Sequence, residues 1–314
     1  MKNLDIFCVA EVAIDHIADA GSITDNASST LLHSVKRYYG GMGGNFSAVA
    51  SIFGVKVGIL AAIGRDDPDS IDYKRYLENR KIDTDYLLQE EWSSISKCFI
   101  FNEKEKQRLF FYPGTATQHT EKYMKYAMNL AEEVKSEALY AAFTDFELNK
   151  FYLSRGNARI KAYAPAHNTH RHSRKDFSEC LEHTDVLFVN ENEAAIMENI
   201  MEKNIFEIAD DFGIGVVART MGKDGCEIII DGKPTAITAC RINRMLDPSG
   251  AGDAFAGAFM ANYIKGGDAI NSAKIASATA SFIVEERGCQ TGIPSIDALQ
   301  ERIKRNYGDI ILKE

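Results

Sequence analysis

The sequence lacks any apolar run close to the roughly 18 residues that a membrane-spanning helix needs. Its six cysteines are scattered without a Cys-x-x-Cys pair, so we expect free thiols rather than a disulfide scaffold. The opening stretch MKNLDIFCVAEVAID has early acids and no small-residue cleavage site after a long apolar core, which favours a strand over a signal peptide. Together these absences predict a cytoplasmic protein without a membrane partner.

Basic residues are fewer than acidic residues. Lys and Arg number 36 against 45 Asp and Glu, which gives a net charge of −9. An acidic surface repels phosphate backbones, so we expect no nucleic-acid partner. A small phosphorylated ligand is still allowed, because backbone N–H groups can hold an anion within an acidic protein.

The composition is that of a folded globular protein, with 45% hydrophobic and 26% charged residues. Short β-prone runs alternate with helical patterns, which indicates βαβ units and a mostly parallel sheet. No repeat or Pro-rich linker divides the chain, so residues 1–314 are expected to form a single α/β domain with an inserted β element. The expected strands are 6–10, 55–63, 139–143, 160–164, 186–189, 215–218 and 227–230.

Two further patterns extend this prediction. Segment 95–112 holds two β-like runs joined by the charged stretch 103–106, which predicts a hairpin with a solvated tip. Helices rich in small residues are expected at about 252–265 and 269–285. Asp268 lies just before the second helix and is its expected N-cap.

The most informative motif is Asp247-Pro-Ser-Gly-Ala-Gly-Asp253, followed by a run of small and aromatic residues. Bare N–H groups at a helix start that is flanked by glycines bind anionic oxygens. An acid placed there can accept a proton from a hydroxyl that attacks a bound phosphoryl group. A plain glycine cap followed by an N-cap Asp would give the same short pattern, so its meaning depends on context.

A second motif, Gly40-Gly41-Met42-Gly43-Gly44-Asn45, supplies that context. With Asp247–Met260 it resembles the two signatures of the ribokinase, or PfkB, family of carbohydrate and nucleoside kinases, in the same order. The resemblance covers nearly the whole chain. It implies a doubly wound, mostly parallel sheet flanked by helices, with a small β-sheet, the lid, formed here by segments of about 17–40 and 93–115.

The resemblance also implies which residues react. Asp253 resembles the catalytic base that deprotonates the acceptor hydroxyl. The residues that resemble the anion hole for the transferred phosphoryl group are Gly250, Ala251 and Gly252.

Acceptor contacts are implied at the other end of the site. Asp15, just beyond the first strand, resembles the acid that binds substrate hydroxyls, and Gly41 and Asn45 resemble the remaining contacts. A carboxylate accepts two hydroxyl hydrogen bonds at once, which suits a vicinal diol. A lone Asp at this place is otherwise typical of a turn.

The nucleotide and its metal have implied partners too. Asn190 and Glu193 resemble the family's NxxE motif, which acts on the magnesium–phosphate assembly through water, although a solvated acidic helix start would look alike. Thr220, Gly222 and Gly225 resemble the TxGxxG nucleotide loop, whose glycines would also suit an ordinary hairpin turn.

A monovalent cation, K⁺ in this family, is implied at one further place. Asp247 and Ser249, together with the backbone around Gly288 and Gly292, resemble a cation site that part of the family has. Many members lack or vary that site.

Two positions depart from the ribokinase pattern. Ala13 and Met42 stand where ribokinases proper carry Asn and Lys. Two polar sugar contacts become apolar, and a buried unmet hydroxyl costs roughly 1–3 kcal/mol, so free ribose is disfavoured. The segment at Phe111 and Tyr112 resembles one of adenosine-kinase-like members and offers a surface for stacking a base. Such aromatics equally suit the lid's own core or a dimer contact.

The stretch His167-Asn-Thr-His170-Arg-His172 has a spacing that suggests metal binding. No Cys or acidic partner is spaced nearby as a structural zinc site needs. We therefore expect a mobile loop at the edge of the active site.

The expected activity is transfer of the γ-phosphoryl group of Mg²⁺-ATP to a primary hydroxyl. A sugar is the first expectation for the acceptor, because sugar kinases form the centre of the family. A nucleoside phosphorylated on its 5′-hydroxyl is the alternative, supported by the two apolar positions and the aromatic lid. A sugar-phosphate kinase, using Lys36, Arg37 and Arg108, and a non-catalytic sensor are further alternatives, and the intact Asp253 argues against a sensor. A homodimer through the lid is also expected.

Overall fold

The computed structural model describes residues 3–20, 28–91, 93–103, 106–114, 121–142 and 146–313. The strands of these residues are β1 (Asn3–Val9), β2 (Ala13–Ala20), β3 (Leu32–Gly40), β4 (Val57–Leu60), β5 (Ala62–Gly64), β6 (Leu88–Glu90), β7 (Ser96–Glu103), β8 (Lys106–Tyr112), β9 (Lys135–Ala142), β10 (Asn157–Ala164), β11 (Val186–Asn190), β12 (Val216–Thr220), β13 (Cys226–Ile230) and β14 (Lys233–Ile237). The α-helices are α1 (Met42–Ser51), α2 (Pro68–Asn79), α3 (Glu121–Glu133), α4 (Phe146–Arg155), α5 (Arg174–Leu181), α6 (Glu191–Met201), α7 (Ile205–Phe212), α8 (Ala251–Tyr263), α9 (Ala269–Ile283) and α10 (Ile296–Tyr307).

A large sheet forms the body of the molecule, with the strand order β14-β13-β12-β11-β10-β9-β1-β4. Neighbouring strands are parallel across six positions of this sheet, in the order β4, β1, β9, β10, β11 and β12. The strands β13 and β14 complete one edge in antiparallel pairing. Parallel strands are covered on both faces, which explains their continuous apolar sequences. The predicted α/β sheet is therefore confirmed.

Side chains of one strand alternate between two cores. Ile6 and Cys8 of β1 point into a core shared with α1, α8 and α9. Phe7 and Val9 point to the opposite face, where α3 and α4 pack. The two helical layers are thus fixed by the period-two pattern of the strands.

A second sheet has the order β3-β2-β7-β8 and is the lid expected from the sequence. β7 and β8 form the predicted antiparallel hairpin, although residues 104–105 at its tip lie outside the described residues. Residues 21–27, in the polar turn-rich segment before β3, also lie outside them. The lid has a small core of its own, formed by Ile17, Cys98 and Ile100.

The strand prediction differs from the structure in several details, among them the absence of β6 from the expected strands. The apolar run 55–63 is divided between β4 in the large sheet and β5, which pairs with β6 instead. The edge strand β14 escaped prediction because its sequence KPTAI is polar, contains a proline and is largely exposed. Proline is tolerated at a sheet edge, where its missing N–H group faces away from the ladder.

The helices near the C-terminus follow the prediction. α8 and α9 lie within three residues of their expected bounds, and the Asp268 side chain caps α9 by accepting from the N–H of Asn271 at 2.8 Å. No helix among the described residues is long and apolar enough to cross a bilayer.

The parallel topology brings functional candidates to one edge of the large sheet. Asn190 ends β11 and Thr220 ends β12, and the two residues are partners in the strand register. Ligands of open α/β sheets bind at this edge, beyond the carboxyl ends of the strands. The site is therefore positioned by the sheet before any side chain is considered.

We predict that Gly257→Ala will destabilise the protein. A Cβ at Gly257 of α8 would lie 2.5 Å from the carbonyl oxygen of Phe46 in α1, so the two helices would have to separate. Alanine normally favours a helix over glycine, but overpacking costs about 1–3 kcal/mol and should win. Urea unfolding measures the change. Gly215→Ala is the matched control, because its Cβ would lie at an ordinary 3.5 Å from Asp185; an equal loss in both variants would contradict the prediction.

Candidate active site

The start of α8 opens into a cavity. Gly250 precedes the helix with φ of 75°, and a Cβ there would lie 2.6 Å from Cβ of Cys289, so glycine is needed on both counts. A Cβ at Gly252 would meet nothing within 4 Å, which shows open space in front of the first turn. N–H groups in the first turn of a helix have no partner inside the helix. This helix start can therefore bind an anion.

Asp253 lies in that first turn and is partly buried. The side-chain amide of Asn45 donates to its Oδ2 at 2.8 Å. Burial raises the pKa of Asp253 to about 7, against the lowering effect of the Asn45 hydrogen bond, and the charges of Glu193 and Asp15 raise it further. A carboxyl with a pKa near the working pH is suited to general base catalysis.

Asp15 lies on β2 of the lid with only 5% of its surface exposed. The thiol of Cys289 donates to its Oδ2 at 3.5 Å, and the carboxyl lies so close to Gly40 that a Cβ there would be 2.1 Å from Oδ2. Burial raises the pKa of Asp15 to about 7, the Cys289 hydrogen bond lowers it, and the charge of Asp247 raises it. An ionised carboxylate here can accept hydroxyl hydrogen bonds.

A cavity of about 450 Å³ lies on the other side of α8. Its size is that of a site for one small organic ligand. Apolar side chains, among them Ile242, Met245 and Val284, form much of its wall. The predicted nucleotide contacts are all part of this wall: Asn190, Thr220, Gly222 and Gly225.

A smaller cavity of about 80 Å³ joins the large cavity to the predicted base. Asp253, Gly252 and Glu193 line it, and Met42 closes one side. Asn190, Thr220 and Phe255 belong to the walls of both cavities. A ligand in the large cavity can thus extend to the carboxyl of Asp253.

Asn190 and Glu193 form a capping box at the start of α6. Oδ1 of Asn190 accepts from the N–H of Glu193, and Oε2 of Glu193 accepts from the N–H of Asn190, both at 2.9 Å. The pair therefore has a structural role as well as the predicted one. Glu193 still borders the small cavity, and carboxylate and amide oxygens suit a hydrated Mg²⁺.

Asp247 ties two loops together. Its Oδ1 accepts from the N–H of Ser249 at 3.0 Å and its Oδ2 from the N–H of Gly288 at 3.1 Å. Asp247, Ser249 and Gly288, three of the positions predicted for a monovalent cation, thus lie close together. The hydrogen bonds shown by the carboxyl are structural, and the cation role stays a prediction.

The histidine-rich stretch forms a short 3-10 helix over Ala166–Arg171 rather than an irregular loop. Ala166 lines the small cavity, so the stretch does lie at the edge of the site. The ring of His172 packs on Phe146 and Phe177. Among the described residues there is no group of three or more His, Cys, Asp or Glu side chains that could hold a metal ion.

Sequence analysis missed several buried polar residues around this site. Glu11 is 5% exposed, and burial raises the pKa of its carboxyl well above the usual range, with the charges of Asp15 and Asp253 adding to the effect. Tyr73, Cys289 and Gln290 are equally buried. Only Gly288, next to Cys289, carried a signal, because it belongs to the predicted cation site.

An acid beside a helix start that can bind an anion is placed to take the proton of a hydroxyl that attacks a bound phosphoryl group. The class of protein is thus a phosphotransferase acting on a small hydroxylated molecule. The chain belongs to the pfkB family of carbohydrate kinases, whose sequence profile matches residues 3–296.

Named relatives cover almost the full length of the chain. A nucleoside kinase of Methanocaldococcus jannaschii is 30% identical over 312 residues, which are 97% of this chain and 98% of that protein. A nucleoside kinase of Methanothermobacter thermautotrophicus is 30% identical over 314 residues, 98% of each chain. The crystal structure of the M. jannaschii enzyme, described as an archaeal member of the ribokinase family, is similar with a TM-score of 0.83 at 28% identity, covering 97% of this chain and 99% of that one.

We predict that Glu193→Gln will raise the magnesium concentration needed for half-maximal turnover by about tenfold or more, because a neutral amide holds the hydrated ion less well. Initial rates at increasing Mg²⁺ and fixed ATP measure this. Glu207→Gln is the matched control, because Glu207 forms the same capping box with Asn204 on α7. An unchanged magnesium requirement in Glu193→Gln would remove this residue from the metal site.

Proposed function

We propose that the protein is an ATP-dependent nucleoside kinase that phosphorylates the 5′-hydroxyl. The observation that carries the proposal is the place of Asp253, which borders the small cavity between the nucleotide-sized cavity and the acceptor side at Asp15. The geometry supports a donor nucleotide on one side of the α8 start and a hydroxyl acceptor on the other.

The proposed reaction uses each group once. The carboxylate of Asp253 takes the proton of the acceptor hydroxyl, whose oxygen forms a bond to the γ-phosphorus of ATP. The bond from that phosphorus to the bridging oxygen breaks, and ADP leaves. N–H groups of the segment Gly250–Gly252 stabilise the negative charge on the transferred group. Asn190 and Glu193 would hold a hydrated Mg²⁺ through water, and that ion would supply positive charge to neutralise the phosphates.

The acceptor side favours a nucleoside over a free sugar. Asp15 suits the vicinal diol of a ribose unit. Ala13 is buried beside it on β2, and Met42 presents a thioether to the small cavity, so neither position offers a polar contact. Two relatives that are 30% identical over nearly the whole chain are nucleoside kinases, which supports the same acceptor class.

A sugar is the second candidate for the acceptor. The proposed contact at Asp15 is a hydrogen bond from a hydroxyl group, which a free sugar could also donate. The matching family profile is that of carbohydrate kinases. A sugar phosphate is less well supported. Arg37, one of its predicted cations, already forms ion pairs with Asp69 at 2.8 Å and with Asp72 at 3.0 Å.

Three further elements belong to the proposal. All six cysteines are buried free thiols, which fits a reducing cytoplasmic location. K⁺ is proposed as an activator that would bind near Asp247. The lid exposes Leu31, Leu109 and Phe110, which supports a homodimer through the lid; light scattering in solution tests that state.

The proposed role of Asp253 as the base can be tested by substitution. Asp253→Asn should lower turnover by about 10²- to 10⁴-fold and leave ATP binding near the wild-type level, because only proton transfer is removed. In the wild type, kcat/KM should fall as the pH drops through about 7, since the ionised form of Asp253 is required and burial has raised its pKa. Near-wild-type turnover of the variant would refute the assignment. Asp210→Asn, at an exposed position on α7 away from both cavities, is the control.

A further prediction concerns the acceptor. ADP release with Mg²⁺-ATP should be faster with nucleosides than with ribose, fructose, 2-keto-3-deoxygluconate or sugar phosphates. The double variant Ala13→Asn with Met42→Lys should improve ribose use and weaken nucleoside use, because two polar sugar contacts are restored. Asp15→Ala should raise the acceptor KM and leave the KM for ATP nearly unchanged. A wild type that prefers ribose to every nucleoside would overturn the nucleoside proposal and leave the sugar-kinase alternative.

A further inference from the structure

A chain of four hydrogen bonds, three of them buried and the last partly buried, runs from the lid to Asp253. The hydroxyl of Tyr73 donates to the carbonyl oxygen of Gly40 at 2.6 Å. Nε2 of Gln290 donates to the Tyr73 oxygen at 2.7 Å and to Oδ1 of Asn45 at 2.9 Å. Nδ2 of Asn45 donates to Oδ2 of Asp253 at 2.8 Å. Tyr73, Gln290 and Asn45 are each at most 5% exposed, so water does not compete for the bonds among these three side chains.

The direction of every bond in this chain is determined by its first member. The carbonyl of Gly40 can only accept, so the single proton of Tyr73 is committed to it. Burial raises the pKa of Tyr73 well above its usual range, so the hydroxyl keeps that proton. The Tyr73 oxygen must then accept, which turns Nε2 of Gln290 toward it.

The same logic orients the next amide. Nε2 of Gln290 donates its second N–H group to Oδ1 of Asn45. Because Oδ1 is held there, Nδ2 of Asn45 is turned toward Asp253. Oε1 of Gln290 is buried and receives no donor from the described residues. A buried acceptor without a partner is unfavourable. The favourable contribution of the Gln290 side chain therefore comes from its two donated hydrogen bonds.

We propose that Gln290 is a positioning residue for the base: through Asn45 it holds an N–H group on Oδ2 of Asp253 and leaves Oδ1 to receive the proton of the acceptor. The inference rests on the proposed role of Asp253. It gives a function to a side chain that none of the sequence motifs singled out. It also assigns Oδ1 of Asp253 as the oxygen atom that receives the proton of the acceptor hydroxyl.

The glycine cluster provides independent support. A Cβ at Gly44 would lie 1.9 Å from the Tyr73 hydroxyl oxygen and 3.2 Å from Nε2 of Gln290, so this position must be glycine for the chain to exist. Gly40, whose carbonyl begins the chain, also makes room for the carboxyl of Asp15. The same backbone unit thus supports the acceptor carboxylate and starts the chain that ends at the base.

Other titratable groups surround Asp253, and they are the same in the wild type and in each variant of the test below. Each lies near enough to interact electrostatically with it, and they come from several elements of the fold. The groups are the carboxyls of Glu11, Asp15 and Glu193, the thiols of Cys8 and Cys289, and the phenol of Tyr140.

The test is a pH titration of Asp253 by ¹³C NMR of the full chain, labelled at aspartate carboxyl carbons and free of ligand. Asp253→Asn identifies the resonance. Gln290→Met, which keeps the side-chain length but removes both donors, should raise the pKa of Asp253 by about one pH unit, because Asn45 loses its fixed orientation and stabilises the charged form less. Tyr73→Phe should shift it in the same direction by less.

Gln300→Met is the matched control. Gln300, on α10, donates to the carbonyl oxygen of Ile310 at 2.6 Å and accepts from the N–H of Leu312 at 3.3 Å. The variant therefore loses two side-chain hydrogen bonds that lie outside the chain, and Asp253 should titrate as in the wild type. An unshifted Asp253 in Gln290→Met overturns the positioning role, and Tyr73→Phe decides in the same way if Gln290→Met does not fold. Turnover near the wild-type level in Asp253→Asn overturns the proposed function instead, and the titration distinguishes the two failures.

Discussion

The hydrogen bond between Asn45 and Asp253 is the contact on which the site depends. It joins the first turns of α1 and α8, two helices that pack on the same face of the large sheet. A carboxylate in this partly buried place would be protonated at neutral pH without a donor to stabilise its charge. The bond therefore does two things at once. It fixes the relative position of the two helix starts, and it keeps the pKa of Asp253 in the range where a carboxyl can act as a base.

Much of the fold was visible in the sequence because it follows from short-range patterns. Buried parallel strands appear as continuous apolar runs, and α8 and α9 appear as runs of small residues after glycine-rich turns. The glycine motif and the acid of the α8 start were equally visible, because backbone geometry and anion binding restrict the residue types there. Pairing partners were not visible, which is why the run 55–63 gave one predicted strand and two observed strands.

The polar residues that support the site could not be predicted, because their meaning lies in distant contacts. Gln290 is 245 positions from Asn45 and 217 from Tyr73 in the chain. Neither partner has a local pattern that distinguishes a buried hydrogen-bonded side chain from a surface one. Tyr73 even lies on a predominantly polar helix. A motif search finds residues that bind ligands through a common geometry, and it misses residues that act only through other side chains.

One segment of the chain, 287–290, links the two halves of the site. Arg287 pairs with Asp19 of the lid at 2.5 Å, and the thiol of Cys289 contacts Asp15, while Gln290 acts on Asn45 in the body. The lid carries Asp15, the proposed acceptor contact, whereas the body carries the cavity proposed for the nucleotide and the proposed base. On that proposal, substitutions on the lid would change the acceptor without altering the residues proposed for phosphoryl transfer. Because segment 287–290 touches both halves, the position of the lid and the orientation of the base are not independent.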